Sequence, residues 1–239
     1  MEFQPRFPAE YCIRKNRQEF QRYSAVFHDR ITQAFENLND EVERVQADAY
    51  DRFASSNPSR EEDNSGIAEA AYFEGVDFYL ATDAIRQGVV NLMIAGLYHL
   101  LEQQSQYMAT QVLSQPVIPP TGKGGFAQLE ALLEHKFAIK IKSFKSGPLL
   151  DELRLVANVV KHAGGGSLEK LKERNPILFK DPQSGMVSRL PIRPLVGEGL
   201  RLTDDHFDAY KSCIDQFWQE LTDALLPVFC QPEHSSPRS

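Results

Sequence analysis

The sequence predicts an all-α protein, a helical bundle of about five to seven helices with a long N-terminal helix. Three observations carry that expectation. Apolar side chains recur at steps of three or four through most of the chain. Proline clusters between those periodic stretches, at Pro58, at Pro116 to Pro120 and across Asn175 to Leu202. Hydrophobic residues make up 42% of the 239 and charged residues 25%, which is enough apolar surface for a core and excludes disorder of the whole chain.

Each element follows from its local pattern. From Gln18 to Phe53 the stripe Phe20, Tyr23, Phe27, Ile31, Ala34, Leu38, Val42, Val45, Ala49 and Phe53 is unbroken by Pro or Gly. One helix of about 35 residues would be about 50 Å long. That exceeds an ordinary bundle helix, so part of it is expected to project or to pack on another subunit. Residues 1–60 are therefore read as a long N-terminal helix or arm, 61–230 as the helical bundle and 231–239 as a disordered tail. Ser55 to Gly66 (SSNPSREEDNSG) is a polar loop. A second helical region runs from Ile67 to Ser114, with Gly75 and Gly88 as places to bend or split. Its densest apolar run, Val89 to Leu101, falls short of the roughly 20 residues a membrane span needs and reads as a buried core helix.

After a Pro- and Gly-rich loop, Phe126 to Phe137 forms a short amphipathic helix and Ala138 to Gly147 a basic connector. Pro148 suits the first turn of the next helix, which runs to His162 and stops at Gly164 to Gly166. Ser167 caps a short helix to Arg174. Asn175 to Leu202 leaves room for one small β-hairpin around Gly197 and Gly199. Thr203 caps a final helix through Leu226, with Pro227 as its stop and Trp218 as a core anchor.

Charge and cysteine usage narrow the function classes. A net charge of −7 argues against general polyanion binding, which needs clustered Lys and Arg. A local basic patch remains, since Lys136, Lys140, Lys142 and Lys145 lie close together, with Arg154 and Lys161 following. Cys12, Cys213 and Cys230 are odd in number and widely spaced, the pattern of reduced thiols rather than of disulfides or zinc ligands. Met1 to Arg17 lacks the apolar core of a signal peptide, so a cytoplasmic protein with no membrane association is expected. Thr121 to Gly125 (TGKGG) lacks the first glycine and the Ser or Thr of a P-loop. Asp204 and Asp205 before His206 are helix-start chemistry. No metal and no cofactor are expected. His99 reads as a core histidine, His28 and His135 as surface residues.

The helix from Pro148 to His162 is the most informative segment. Arg154, Asn158 and His162 are spaced i, i+4, i+8 and form a polar stripe, with Lys161 at its edge. Leu153, Val156, Ala157 and Val160 lie on one side, Leu155 and Val159 on another. A helix apolar on two sides packs on both, so the stripe should border a crevice or interface. Histidine transfers protons near neutral pH, arginine grips phosphate in a forked geometry, and asparagine orients an imidazole or a substrate oxygen. Together they suit metal-free RNA cleavage, in which a ribose 2′-hydroxyl attacks the adjacent phosphate. The structural alternative is that Arg154 pairs with Asp151 and His162 merely ends the helix.

Glu152 to His162 (ELRLVANVVKH) resembles the signature helix of the HEPN superfamily, and Gly96 to Gln104 (GLYHLLEQQ) resembles an earlier bundle helix of the same family. The order of short helix, basic connector and signature helix is also similar. The resemblance covers roughly Ile67 to Gly166 and extends to the final helix. It implies a dimeric all-α protein and a metal-independent endoribonuclease of toxin–antitoxin or antiphage type, with RNA as substrate. His162 would be the general acid/base, Arg154 the phosphate clamp and Asn158 the orienter, with Lys142, Lys145 and Lys161 as substrate contacts. One position departs: the family's Arg directly before the polar residue is Ala157 here. The tyrosine found after the His in some members is absent, Ala163 and Gly164 standing there. That departure leaves a second reading, a non-catalytic helical subunit that binds an operon-encoded protein partner or a nucleotide.

Overall fold

The computed structural model describes residues 6–56, 64–114, 124–180 and 199–229. Among them every regular element is helical and no strand occurs. Most of the segment expected to hold a hairpin, Thr121 to Lys123 of the TGKGG stretch, Cys230 and the expected tail lie outside the described residues.

The N-terminal run begins at Arg6, twelve positions before the expected start at Gln18. It comprises α1 (Arg6–Val26), a π-helical turn (Phe27–Thr32), a 3-10 turn (Gln33–Phe35) and α2 (Leu38–Ser56). The single helix expected from Gln18 to Phe53 is thus locally rewound. The backbone stays right-handed at Val26, Thr32, Gln33 and Glu36, so the chain changes its hydrogen-bond spacing without turning back. The wide turn coincides with Phe27, which is fully buried and stacks on Phe207 at 4.0 Å between ring centroids.

Helix α3 (Asn64–Tyr107) has 44 residues, about 65 Å at 1.5 Å per residue, and continues into a π turn (Met108–Val112). Gly75 and Gly88 do not split it. The N-terminal run lies antiparallel beside it. Gln104 donates to the carbonyl of Asn16 at 3.5 Å, the Tyr23 hydroxyl donates to the carbonyl of Met93 at 2.9 Å, and Arg52 pairs with Glu74. Gly96 permits the Tyr23 contact, because a Cβ there would come within 2.1 Å of the phenol oxygen.

The remaining described elements pack on the C-terminal half of α3, directly or through α5. They are α4 (Gly125–Phe137), a 3-10 turn (Ile141–Ser143), α5 (Gly147–His162), α6 (Gly166–Arg174), a 3-10 turn (Pro176–Phe179) and α7 (Asp204–Phe229). Gly125 brings the start of α4 against α3, where a Cβ would meet the Glu102 carbonyl at 2.1 Å. Helix α4 ends on Ala138 in the left-handed region, with the Ile139 N–H on the Leu133 carbonyl at 3.0 Å. Helix α5 ends on Ala163, also left-handed, so the stop falls one residue before the glycines. Thr203 caps α7 as expected, accepting the His206 N–H. Pro227 does not end α7, which runs two residues past it to Phe229.

One hydrophobic cluster joins α1, α3, α4, α5, α6 and α7. Trp218, Tyr210, Phe207 and Phe217 from α7, Phe20 from α1 and Phe27 after it are its largest fully buried side chains, with Ile94, Leu97 and Leu101 from α3 beside them. By contrast α2 packs chiefly along the N-terminal half of α3, a pair that buries few apolar side chains, Leu38, Ala49 and Ala71 among them. His99 is not a core residue: it sits half-exposed beside Glu102 at 3.5 Å, because its position on α3 points away from α1, α5 and α7. His135 is exposed, and His28 lies at the surface against Asp208. Cys12 and Cys213 are free and buried, and burial pushes their thiols up to about 11 and about 12, so both are neutral at physiological pH. Among the described residues no helix is long and apolar enough to cross a membrane.

Candidate functional site on helix α5

Helix α5 buries Leu150, Leu153, Leu155, Val156, Ala157, Val159 and Val160. At about 100° per residue these leave one open strip, and Arg154, Asn158 and His162 occupy it, with Asp151 and Lys161 at its edges. Asn158 is half-buried and His162 exposed. Arg154 and His162 are eight residues apart, about 12 Å along the axis. No hydrogen bond among the described residues joins the three.

Arg154 is held in place. Its Nε and Nη2 both donate to Asp151 Oδ1, at 3.0 and 2.7 Å. Arg174, at the end of α6, donates Nη1 to Asp151 Oδ2 at 2.7 Å and also reaches the Pro148 carbonyl. Partial burial would raise the Asp151 carboxyl, but hydrogen bonds and charge from Arg154, then from Arg174, outweigh it and hold the carboxyl below its usual range. The Arg154–Asp151 pair that the sequence offered as the structural alternative therefore exists. A guanidinium carries five N–H donors, so the Nη1 edge of Arg154 stays open.

Arg154 also lines a cavity of about 780 Å³ between α3, α4, the 3-10 turn at Ile141 and the first two turns of α5. Its walls are mostly apolar: Tyr98, Phe126, Ala127, Ile141, Pro148 and Leu150. Its charged lining is balanced, with Lys142, Arg154 and Arg174 against Glu102, Glu130 and Asp151. Tyr98 is only 7% exposed. Burial first, then the charges of Glu102 and Asp151, push its phenol up against the opposing pull of Arg154, which keeps it a neutral donor.

Of the lysines expected to hold substrate, Lys142 stands at the mouth of this cavity, 3.8 Å from Glu130 and 88% exposed. Lys161 is exposed one residue before His162. Lys145 is exposed at the start of α5, and its backbone N–H is committed to α7. Glu220 of α7 accepts from the N–H groups of Lys145 and Ser146 at 2.9 and 3.2 Å and from the Ser146 hydroxyl at 2.7 Å. Partial burial would raise this carboxyl, but the Ser146 and Lys145 donors hold it low. Lower down, Tyr210 donates to Glu152 at 2.8 Å.

Sequence reasoning missed Tyr98, Arg174 and Glu220. Tyr98 was in view on the resembling segment Gly96 to Gln104, but nothing local marks its hydroxyl as facing a cavity. Arg174 and Glu220 reach α5 from 23 and 74 positions away, which no helical period reports. Among the described residues no group of His, Cys, Asp and Glu is placed to hold a metal ion. Comparison with known protein families, characterised proteins and solved structures finds no match to this chain.

Proposed function

We propose that the open strip of α5 is the working surface of a HEPN-like, metal-independent endoribonuclease that acts as a homodimer in a bacterial defence or toxin–antitoxin setting. The observation that carries this reading is that Arg154, Asn158 and His162 share the one side of α5 that the core leaves uncovered. One chain alone is insufficient. Arg154 and His162 lie about 12 Å apart, too far to serve one phosphate together. Two strips packed antiparallel about Asn158 bring Arg154 of one protomer beside His162 of its partner. His162 then moves the 2′-hydroxyl proton, Arg154 holds the phosphate on its open edge, and Lys161 adds positive charge.

Incubation of single-stranded RNA with the wild-type dimer and with His162→Ala tests this. Loss of at least about a hundredfold in rate is expected, the usual scale for a general acid or base. Equal cleavage by both proteins overturns the catalytic assignment. A specific observation favours a second reading. Ala157, which stands at the family's Arg position, is 4% exposed and faces the core, so no arginine flanks Asn158 there. A folded dimer that never cleaves RNA, and that co-purifies with an operon-encoded partner, would establish the non-catalytic role instead.

A further inference from the structure

We infer that the cavity beside α5 binds a small monoanionic organic acid, with its carboxylate on the open edge of Arg154 and the Tyr98 hydroxyl and its apolar body against Phe126, Ile141 and Leu150. This goes beyond the reading of the α5 strip, because the ligand sits in the cavity between α3, α4 and α5 and needs neither Asn158 nor His162, sharing only Arg154 with that strip.

Four observations lead there. The volume, about 780 Å³, lies in the range of small-molecule pockets, roughly 300 to 1,000 Å³. The walls are largely apolar, with Phe126 and Tyr98 supplying ring surface. Tyr98 is more than nine-tenths buried and lines the cavity, and among the described residues no protein group accepts from its hydroxyl. Because Tyr98 lines the cavity, an acceptor there would satisfy it. Finally, Arg154 is a preorganised receptor. Its Nε side is tied to Asp151, which Arg174 fixes in turn, so the guanidinium plane is set while Nη1 and the second Nη2 hydrogen remain to bind a carboxylate.

The sign and size of the ligand charge follow from the same lining. Arg154 selects an anion. Glu102, Glu130 and Asp151 make the cavity nearly neutral in sum, which disfavours a phosphate dianion inside it. A single carboxylate on an apolar body satisfies both conditions.

Calorimetric titration of the full chain with 3-phenylpropionate is the test, with 3-phenylpropanol and phenyl phosphate as the uncharged and dianionic controls. Saturable one-to-one binding of the acid is expected, with each control weaker by about tenfold or more. Arg154→Gln should weaken the acid by about tenfold or more and leave the alcohol unchanged, and Tyr98→Phe, which preserves volume, should weaken the acid by roughly threefold or more. His162→Ala should bind the acid as wild type does, so failure of the ribonuclease reading and failure of this one are separable. Absence of saturable binding at roughly 10 mM acid, tighter binding of phenyl phosphate, or undiminished binding by folded Arg154→Gln would each overturn the inference. A far-ultraviolet circular dichroism spectrum on each variant confirms that it is folded.

Discussion

The two halves of α3 carry similar apolar side chains and meet opposite surroundings. In the C-terminal half Ile94, Leu97 and Leu101 are fully buried among α1, α5 and α7. In the N-terminal half Tyr72, Phe73 and Tyr79 are 57%, 55% and 37% exposed, with only α2 alongside. The helix does not change character between them. At about 100° per residue, Tyr72, Val76 and Tyr79 lie on the same side as Ile94, Leu97 and Leu101. What changes is how many neighbours reach that side. Burial is set by the company a helix keeps, and one amphipathic face can be core at one end and surface at the other.

The largest expected effect breaks the buried half. Leu97→Ala removes a fully buried side chain from the centre of the cluster and should cost about 2–5 kcal/mol in a denaturant titration. A loss under about 1 kcal/mol would mean that this half is no more tightly built than the other. Next comes the contact that lets α1 approach. Gly96→Ala would drive a methyl to within 2.1 Å of the Tyr23 hydroxyl and should destabilise by about 1–3 kcal/mol. Tyr23→Phe in the same chain removes the clashing oxygen, so the pair should recover much of that loss. If the double variant is as unstable as the sum of the two singles, the clash is not the cause.

A smaller effect tests the polar clamp that ties α7 to the start of α5 in the bundle. Glu220→Gln weakens the cap on α5, and a loss of about 1 kcal/mol at neutral pH is expected, the scale of a helix cap at a partly exposed site. The pH dependence has a definite sign. The folded carboxyl lies below its ordinary value of 4.5, so the folded state binds fewer protons than the unfolded state in that interval. The contribution is therefore complete above 4.5 and is lost as pH falls through the folded value. Stability curves of wild type and Glu220→Gln should converge at acid pH, separate as pH rises towards 4.5 and run parallel above about pH 5. Parallel curves throughout would show that the charge is not what Glu220 contributes. Asp151 titrates in the same direction in both proteins and leaves their difference unchanged.

This contrast also explains how far the sequence could be read. The all-α class, the break after His162, the Thr203 cap and the long N-terminal run were legible because period and capping are local. The rewinding at Phe27 was not, since it answers to Phe207 across 180 positions. His99 was misplaced because its apolar neighbours Leu97, Leu100 and Leu101 say how apolar the helix is and not which side it turns inward. The α5 strip was legible for the same reason as the helices, as a spacing of four. Its surroundings were not: the cavity, the Tyr98 hydroxyl, Arg174 and Glu220 come from α3, α4, α6 and α7, and only the packed chain brings them together.

The smallest effect belongs to the exposed half and is the sharpest test of the comparison. Tyr72 and Phe73 touch edge to face at 5.9 Å, yet both rings remain more than half exposed. Little apolar area leaves water when they form, so replacing them removes little folding energy. Tyr72→Ser with Phe73→Ser should shift the stability of the isolated chain by no more than about 0.5 kcal/mol, the scale of ordinary surface substitutions. Together the two serines remove two whole rings, far more apolar side chain than Leu97→Ala loses, so a smaller effect from the larger truncation reports the surroundings and not the composition. A loss above about 2 kcal/mol, unchanged on tenfold dilution, would mean that this face is covered within the chain. A loss of that size that shrinks on dilution would instead show that a second copy covers it, because stabilisation through association follows protein concentration.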